Sequence, residues 1–125
     1  MATCFVPRKD ICVYRNSRYG ALIKTRSKDG EDVDFSEYEF LMHVRKSRDS
    51  QTIIAEYSNE GNSPEFTVPQ GKVNQFRFFL NSAKTKELTA GEYVYDIFIY
   101  EENAIEDKRV ILRGVFEVVN SVTRF

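Results

Sequence analysis

The chain has no tryptophan, one histidine, two cysteines and three prolines in 125 residues. Each scarcity excludes something. Cys4, Cys12 and His43 are too few and wrongly spaced for a structural zinc site. The two thiols read as free, buried or half-buried groups in a reducing compartment. His43 sits in the middle of a strand pattern and reads as a solvent-facing or hydrogen-bonded residue rather than a base. No G-x-S-x-G elbow marks a nucleophile, so no catalytic triad is nominated and no enzyme is expected. Six scattered glycines form no phosphate-cradling loop. No apolar run approaches the ~18 residues of a membrane span. Nor is one sign of charge in excess: 18 Lys and Arg stand against 19 Asp and Glu, for a net charge of −1. That balance argues against a mainly electrostatic binder of nucleic acid or anionic membrane. The opening MATCFVPRKDICVYRN lacks a signal-peptide layout, which places the expected site of synthesis and residence in a cytoplasm.

What is present points to strands. Apolar residues make up 42% of the chain and charged residues 30%, a globular composition sized for a single domain over 1–125. A chain of this mass buries about two-thirds of its extended surface on folding. Ten Phe and seven Tyr fall in short runs separated by turn chemistry. Apolar and polar residues alternate over 10–15, 19–26, 39–46, 52–57, 65–68, 75–80, 92–101 and 109–119. Asn59 to Pro64 reads as a loop. The stretch 81–88 is the only helix-like piece, about two turns long, with Asn81 or Ser82 as its cap. Turn signals every ~8–12 residues argue for a sandwich or small barrel, and the period of two argues for antiparallel sheets with one face on the core. Two acidic clusters, Asp29–Glu31–Asp32–Asp34 and Glu101–Glu102–Glu106–Asp107, do not match a calcium loop and read as solvated turns. No metal or other cofactor is expected.

The most informative stretch is Leu88-Thr89-Ala90-Gly91-Glu92-Tyr93-Val94-Tyr95-Asp96-Ile97. A leucine, a glycine three residues on and a tyrosine two after that lead into a long strand. This is the layout of a tyrosine corner, whose hydroxyl bonds backbone a few residues upstream. Gly91 is expected to supply a positive φ. Leu88, Gly91 and Tyr93 are therefore assigned a structural role. The expected fold is an all-β, immunoglobulin-like antiparallel β-sandwich of seven to eight strands with one short helical crossover.

Here the sequence resembles the small immunoglobulin-like structural proteins and domains of tailed bacteriophages and prophages, including N-terminal domains of baseplate proteins. Three stretches carry the likeness: Val44 to Ser50, Leu88 to Ile97, and Leu112 to Val118 followed by Val122-Thr123-Arg124. Ala90 stands where the family more often has proline, and Arg15 to Tyr19 where a Gly-Asp-Thr turn is usual. The resemblance implies a non-enzymatic component of the virion, in the tail, neck or baseplate, made in the bacterial host cytoplasm. Its partners would be other phage structural proteins or copies of itself. It carries over no catalytic residue.

If Tyr93, Tyr95, Ile97 and Ile99 face the core, then Val94, Phe98 and Tyr100 face out. Ile111, Val115 and Val119 of the last strand are expected beside them, as a candidate interface. The tail from 120, ending in Phe125, is expected to project and to join it. The alternative is a host-surface carbohydrate-binding or capsid-decoration module. In the former, exposed tyrosines such as Tyr14, Tyr19 or Tyr38 would stack on sugar rings.

Overall fold

The computed structural model describes residues 7–24, 34–60, 64–71 and 74–120. Eight strands run in chain order: β1 (Ile11–Tyr14), β2 (Tyr19–Lys24), β3 (Glu39–Arg45), β4 (Ile53–Ser58), β5 (Phe66–Thr67), β6 (Gln75–Leu80), β7 (Gly91–Tyr100) and β8 (Arg109–Val119). Short 3-10 turns lie at Phe35–Glu37 and Ile105–Asp107, and one α-helix among the described residues, α1 (Ser82–Lys86), joins β6 to β7. Asn81 is its cap: the side-chain oxygen accepts from the Lys84 N–H at 2.9 Å. Every strand lies within one or two residues of the span expected from alternation.

The strands form two sheets, β1-β8-β7-β3-β4 and β2-β6-β5. This is the immunoglobulin-like order, with the long β7 and β8 at the centre of the larger sheet. One pair departs from the antiparallel rule. β1 runs parallel to β8, with Ile11 opposite Phe116 and Tyr14 opposite Val119. A period of two is the same for both directions, so the pattern of residues could not reveal it.

Between the sheets lie Phe35, Phe40, Phe66, Phe76 and Phe78, all at most 1% exposed. Phe40 of the larger sheet stacks on Phe66 of the smaller at 5.2 Å between ring centres, and meets Phe76 at 5.0 Å. Phe35 closes the cluster edge-on against Phe76. With no tryptophan in the chain, this phenylalanine stack supplies the large central volume. Tyr57 packs beside it against Phe78, and burial, with Glu65 nearby, pushes its hydroxyl pKa up to about 12.

Two bulges change which residues face out. Between β7 and β8 the register slips: Ile97 pairs with Leu112 but Phe98 pairs with Val110. Ile111 is the extra residue, and it packs against the core instead of joining the outer row. The expectation that Ile111 faces out beside Val115 is therefore corrected. In β4 a similar slip pairs Arg45 with Ile53 and leaves Ile54 as the extra residue, so that both isoleucines are exposed. Cys12 also corrects an expectation. Its thiol is free but exposed, on the outer face of β1, 3.6 Å from the Glu117 carboxylate. Burial and that neighbour raise its pKa. Cys4, Phe125, the tail beyond 120 and most of the first acidic cluster lie outside the described residues.

Candidate functional site

The corner at the start of β7 sets the geometry of the larger sheet. Leu88 and Tyr93 are buried. The Tyr93 hydroxyl donates to the Thr89 carbonyl at 2.8 Å, four residues upstream. Gly91 has a φ of +158°, nearer extended than a left-handed turn. What its missing side chain provides is room, because a Cβ there would sit 3.4 Å from the Tyr93 hydroxyl oxygen. Removing the hydroxyl in Tyr93→Phe is expected to lower stability by about 1 kcal/mol, since the exposed Thr89 end can rehydrate. Urea unfolding monitored by fluorescence checks this, and the outer face described next should be unaffected.

β7 places Val94, Asp96, Phe98 and Tyr100 on the outer face, all half-buried. Cross-strand register then builds the neighbourhood. Val94 stands between Val115 of β8 and Arg45 of β3. Asp96 stands between Arg113 and His43, and Phe98 next to Leu41. The apolar residues are thus interleaved with charged ones rather than forming an unbroken patch. Val94, Phe98 and Val115 share a groove of about 490 Å³, whose lining also includes Arg8, Arg45, Arg48, Arg113, His43 and Asp96. Tyr100 lies at the far end of the sheet, in a second hollow with Tyr38, Asp107 and Arg109. Val119 pairs with Tyr14 at the β1 edge, away from the groove.

Arginine is the feature that sequence reasoning undervalued. Four guanidiniums line the groove against one carboxylate. Arg8 is tied to Asp10 at 3.1 Å, and Arg45 donates to the Ser50 carbonyl at 2.8 Å. The side chains of Arg48 and Arg113 have no hydrogen bond or ion pair among the described residues. A period of two along β3 and β8 suffices to put Arg45 and Arg113 on the outer faces of their strands. What it could not show is that Arg8, a hundred residues from Arg113 in sequence, pairs with it as an isolated bridge. The strap carrying Arg8 is held by Lys9 N–H to the Arg113 carbonyl at 2.9 Å and by Arg113 N–H to the Pro7 carbonyl at 3.2 Å. Asp10 accepts from the Val115 N–H at 3.0 Å and from Arg8, and these bonds lower its pKa.

His43 is half-buried, 3.1 Å from the Glu56 carboxylate, with its ring edge-on to Phe98. Among the described residues no group of three or more His, Cys, Asp or Glu is placed to hold a metal ion. No described helix is long and apolar enough to cross a membrane. The tyrosines considered for sugar stacking do not share a platform. Tyr14 is exposed at the end of β1, Tyr19 packs on Phe78, and Tyr38 lies under the Arg109 guanidinium at the opposite end of β8.

No family model matches the chain, and no curated protein does. Solved structures with some similarity include the extracellular domain of the voltage-gated sodium channel beta4 subunit, seen as parallel homodimers. It is 11% identical over 98% of this chain and 99% of that one, with a TM-score of 0.44. A further voltage-gated sodium channel beta-subunit structure, from work on multimeric cell-adhesive interactions, is 12% identical over 95% and 98%, with a TM-score of 0.46. In the ZIG-8–RIG-5 IG1–IG1 heterodimer the matched chain is 12% identical over 90% and 82%, with a TM-score of 0.44. At these levels the fold assignment rests on the strand order itself, and nothing about function follows from the likeness.

Proposed function

We propose that this chain is a non-enzymatic assembly module of a tailed-phage virion. It docks other structural proteins, or copies of itself, through the outer face of the β1-β8-β7-β3-β4 sheet. The observation that carries the reading is the groove, in which Val94, Phe98 and Val115 are interleaved with four arginines on a face that the sandwich core does not use. An apolar centre with a polar, arginine-rich edge is the usual composition of a protein-binding patch. The phage assignment is supported by the three sequence stretches that resemble virion immunoglobulin-like domains. The groups with strongly raised pKa values are the core tyrosines Tyr57 and Tyr95, raised by burial.

Mass spectrometry of purified particles, from the host that encodes the chain, tests the proposal. The protein is expected in the particles. A variant with Val94→Glu and Val115→Glu is expected to stay folded, because both side chains face outward, and to be lost from the particles by tenfold or more, equivalent to about 1.4 kcal/mol of docking energy. A wild-type chain absent from particles would overturn the assignment.

A further inference from the structure

We infer that the occupant of the arginine-rimmed groove is the β7–β8 hairpin tip of a second copy of this chain, so that copies join head to tail. The inference rests on the assembly reading above and adds the partner and the contact.

The tip has the shape and charge that the groove lacks. Ile105 is 49% exposed, one of five large apolar side chains left in solvent among the described residues. Glu101, Glu102, Glu106 and Asp107 surround it in sequence, and none of the four is in an ion pair among the described residues. The two cations that follow are turned back onto the sheet. Lys108 lies over the Phe98 ring at 6.0 Å and Arg109 over the Tyr38 ring at 5.5 Å. The tip therefore offers an apolar knob with an acidic collar. The groove offers Val94, Val115 and the Phe98 ring (with Lys108 of its own copy beside it) interleaved with basic groups, including two guanidiniums without a partner among the described residues. Paired this way, the two unpartnered guanidiniums of one copy meet unpaired carboxylates of the next.

The tip is also built in advance. Asn103 turns the chain with a φ of +65°. Ala104 N–H bonds the Glu101 carbonyl at 2.9 Å, Asp107 N–H the Ala104 carbonyl at 3.0 Å, and Lys108 N–H the Ile105 carbonyl at 3.2 Å. A loop held by its own backbone bonds loses little entropy on docking. It cannot fill the groove of its own copy. On β7 the groove runs from Val94 to Phe98, two residues before the end of the strand, and the hairpin continues away from it by about 7 Å of strand before the turn begins. A surface at one end of the molecule meeting a different surface nearer the other is a heterologous contact. It propagates, and it makes a ring where the rotation closes.

Sedimentation velocity on the full chain tests this. Wild type is expected to gain mass with concentration at about 50 mM salt and to return to the 14.6 kDa monomer at about 500 mM, where exposed charge pairs are screened. A tip variant (I105S with E101Q, E102Q and E106Q) and a groove variant (R48Q with R113Q) should each keep the wild-type melting temperature and associate at least tenfold more weakly. Mixed together, they should form a 1:1 heterodimer and nothing larger, because only one intact groove and one intact tip remain per pair. Wild type that stays monomeric at low salt overturns the inference, as does a tip variant that assembles normally or a mixture that stays monomeric. If the tip variant is retained in particles while the groove variant is lost, the groove takes an acidic partner of another kind. In that outcome the head-to-tail contact fails and the adaptor reading survives. Absence of wild type from particles is the separate failure of the reading itself.

Discussion

Gly114→Ala is expected to destabilise the protein by about 3 kcal/mol or more, a fall in melting temperature on the order of 10 °C for a chain of this size. The site is in the middle of β8, in register with Tyr95. A Cβ placed there would lie 2.3 Å from the Lys9 carbonyl oxygen and 2.8 Å from its carbon. Both are backbone atoms and cannot rotate aside. The strap must lift, and its bonds go with it. The buried Tyr95 hydroxyl loses the Lys9 carbonyl to which it donates, and the Val115 N–H loses Asp10. Ile11 and Val13 follow directly in β1, and both are buried. Gly20→Ala is the control. Its Cβ would meet the Phe79 side chain at 3.6 Å and the Arg77 guanidinium at 3.9 Å, both ordinary van der Waals contacts, so a change within about 0.5 kcal/mol is expected. Thermal unfolding of the two variants side by side separates close approach at Gly114 from the general effect of removing a glycine. Because the strap carries Arg8 to the rim of the groove, the Gly114 variant should also dock less well than its residual stability alone would suggest.

Gly114 shows where reading from sequence stops. A period of two along β8 puts Gly114 on the inward row with Leu112 and Phe116, and there it lies, opposite buried Tyr95. Nothing in the pattern said that a carbonyl from residue 9 fills the space beside it, because that contact depends on β1 pairing with β8 in parallel. The strands themselves were legible because each is half-buried, so that polarity reports the face at every second residue. The corner was legible because its three positions are fixed by local geometry. Ile111 was misplaced for a local reason of another kind: a single inserted residue reverses the parity of everything on one side of it, and no residue type marks the slip. Cys12 was misjudged because a thiol's usual burial is only a tendency, while its position opposite Glu117 puts it on the outer row. The groove was half legible. Val94, Phe98 and Val115 came from alternation. The arginines that give it a charge arrive from the strap, the end of β3, the loop after it and β8, and only the fold brings them together.

The second large effect is expected at Phe40. Phe40→Ala should lower stability by about 4 kcal/mol, the range for an aromatic deleted from a close-packed core. Its ring is the link between the sheets, stacked on Phe66 of β5 and tilted against Phe76 of β6 and Phe35. Each of these pairs adds to the loss of buried area. Phe66 and Phe76 both belong to the smaller sheet, opposite Phe40, so they cannot close the void without moving one layer toward the other. Phe40→Leu keeps most of the volume, and about 1.5 kcal/mol is expected there, mainly from the lost ring contacts. Set against a typical total of about 5–15 kcal/mol, that loss removes between roughly a quarter and four-fifths of the stability. Urea titration checks both variants. A lower midpoint with an unchanged slope means a less stable native state, and a changed slope would mean that the two sheets no longer unfold as one unit. The position of the void connects this to docking. Phe40 is in register with Ile99, one residue before the end of β7, so the cavity opens under the strand pair that carries Ile105. Hydrogen exchange in the folded alanine variant should therefore rise first at the β7–β8 tip, and self-association should weaken with Ile105 and its acidic neighbours still in place.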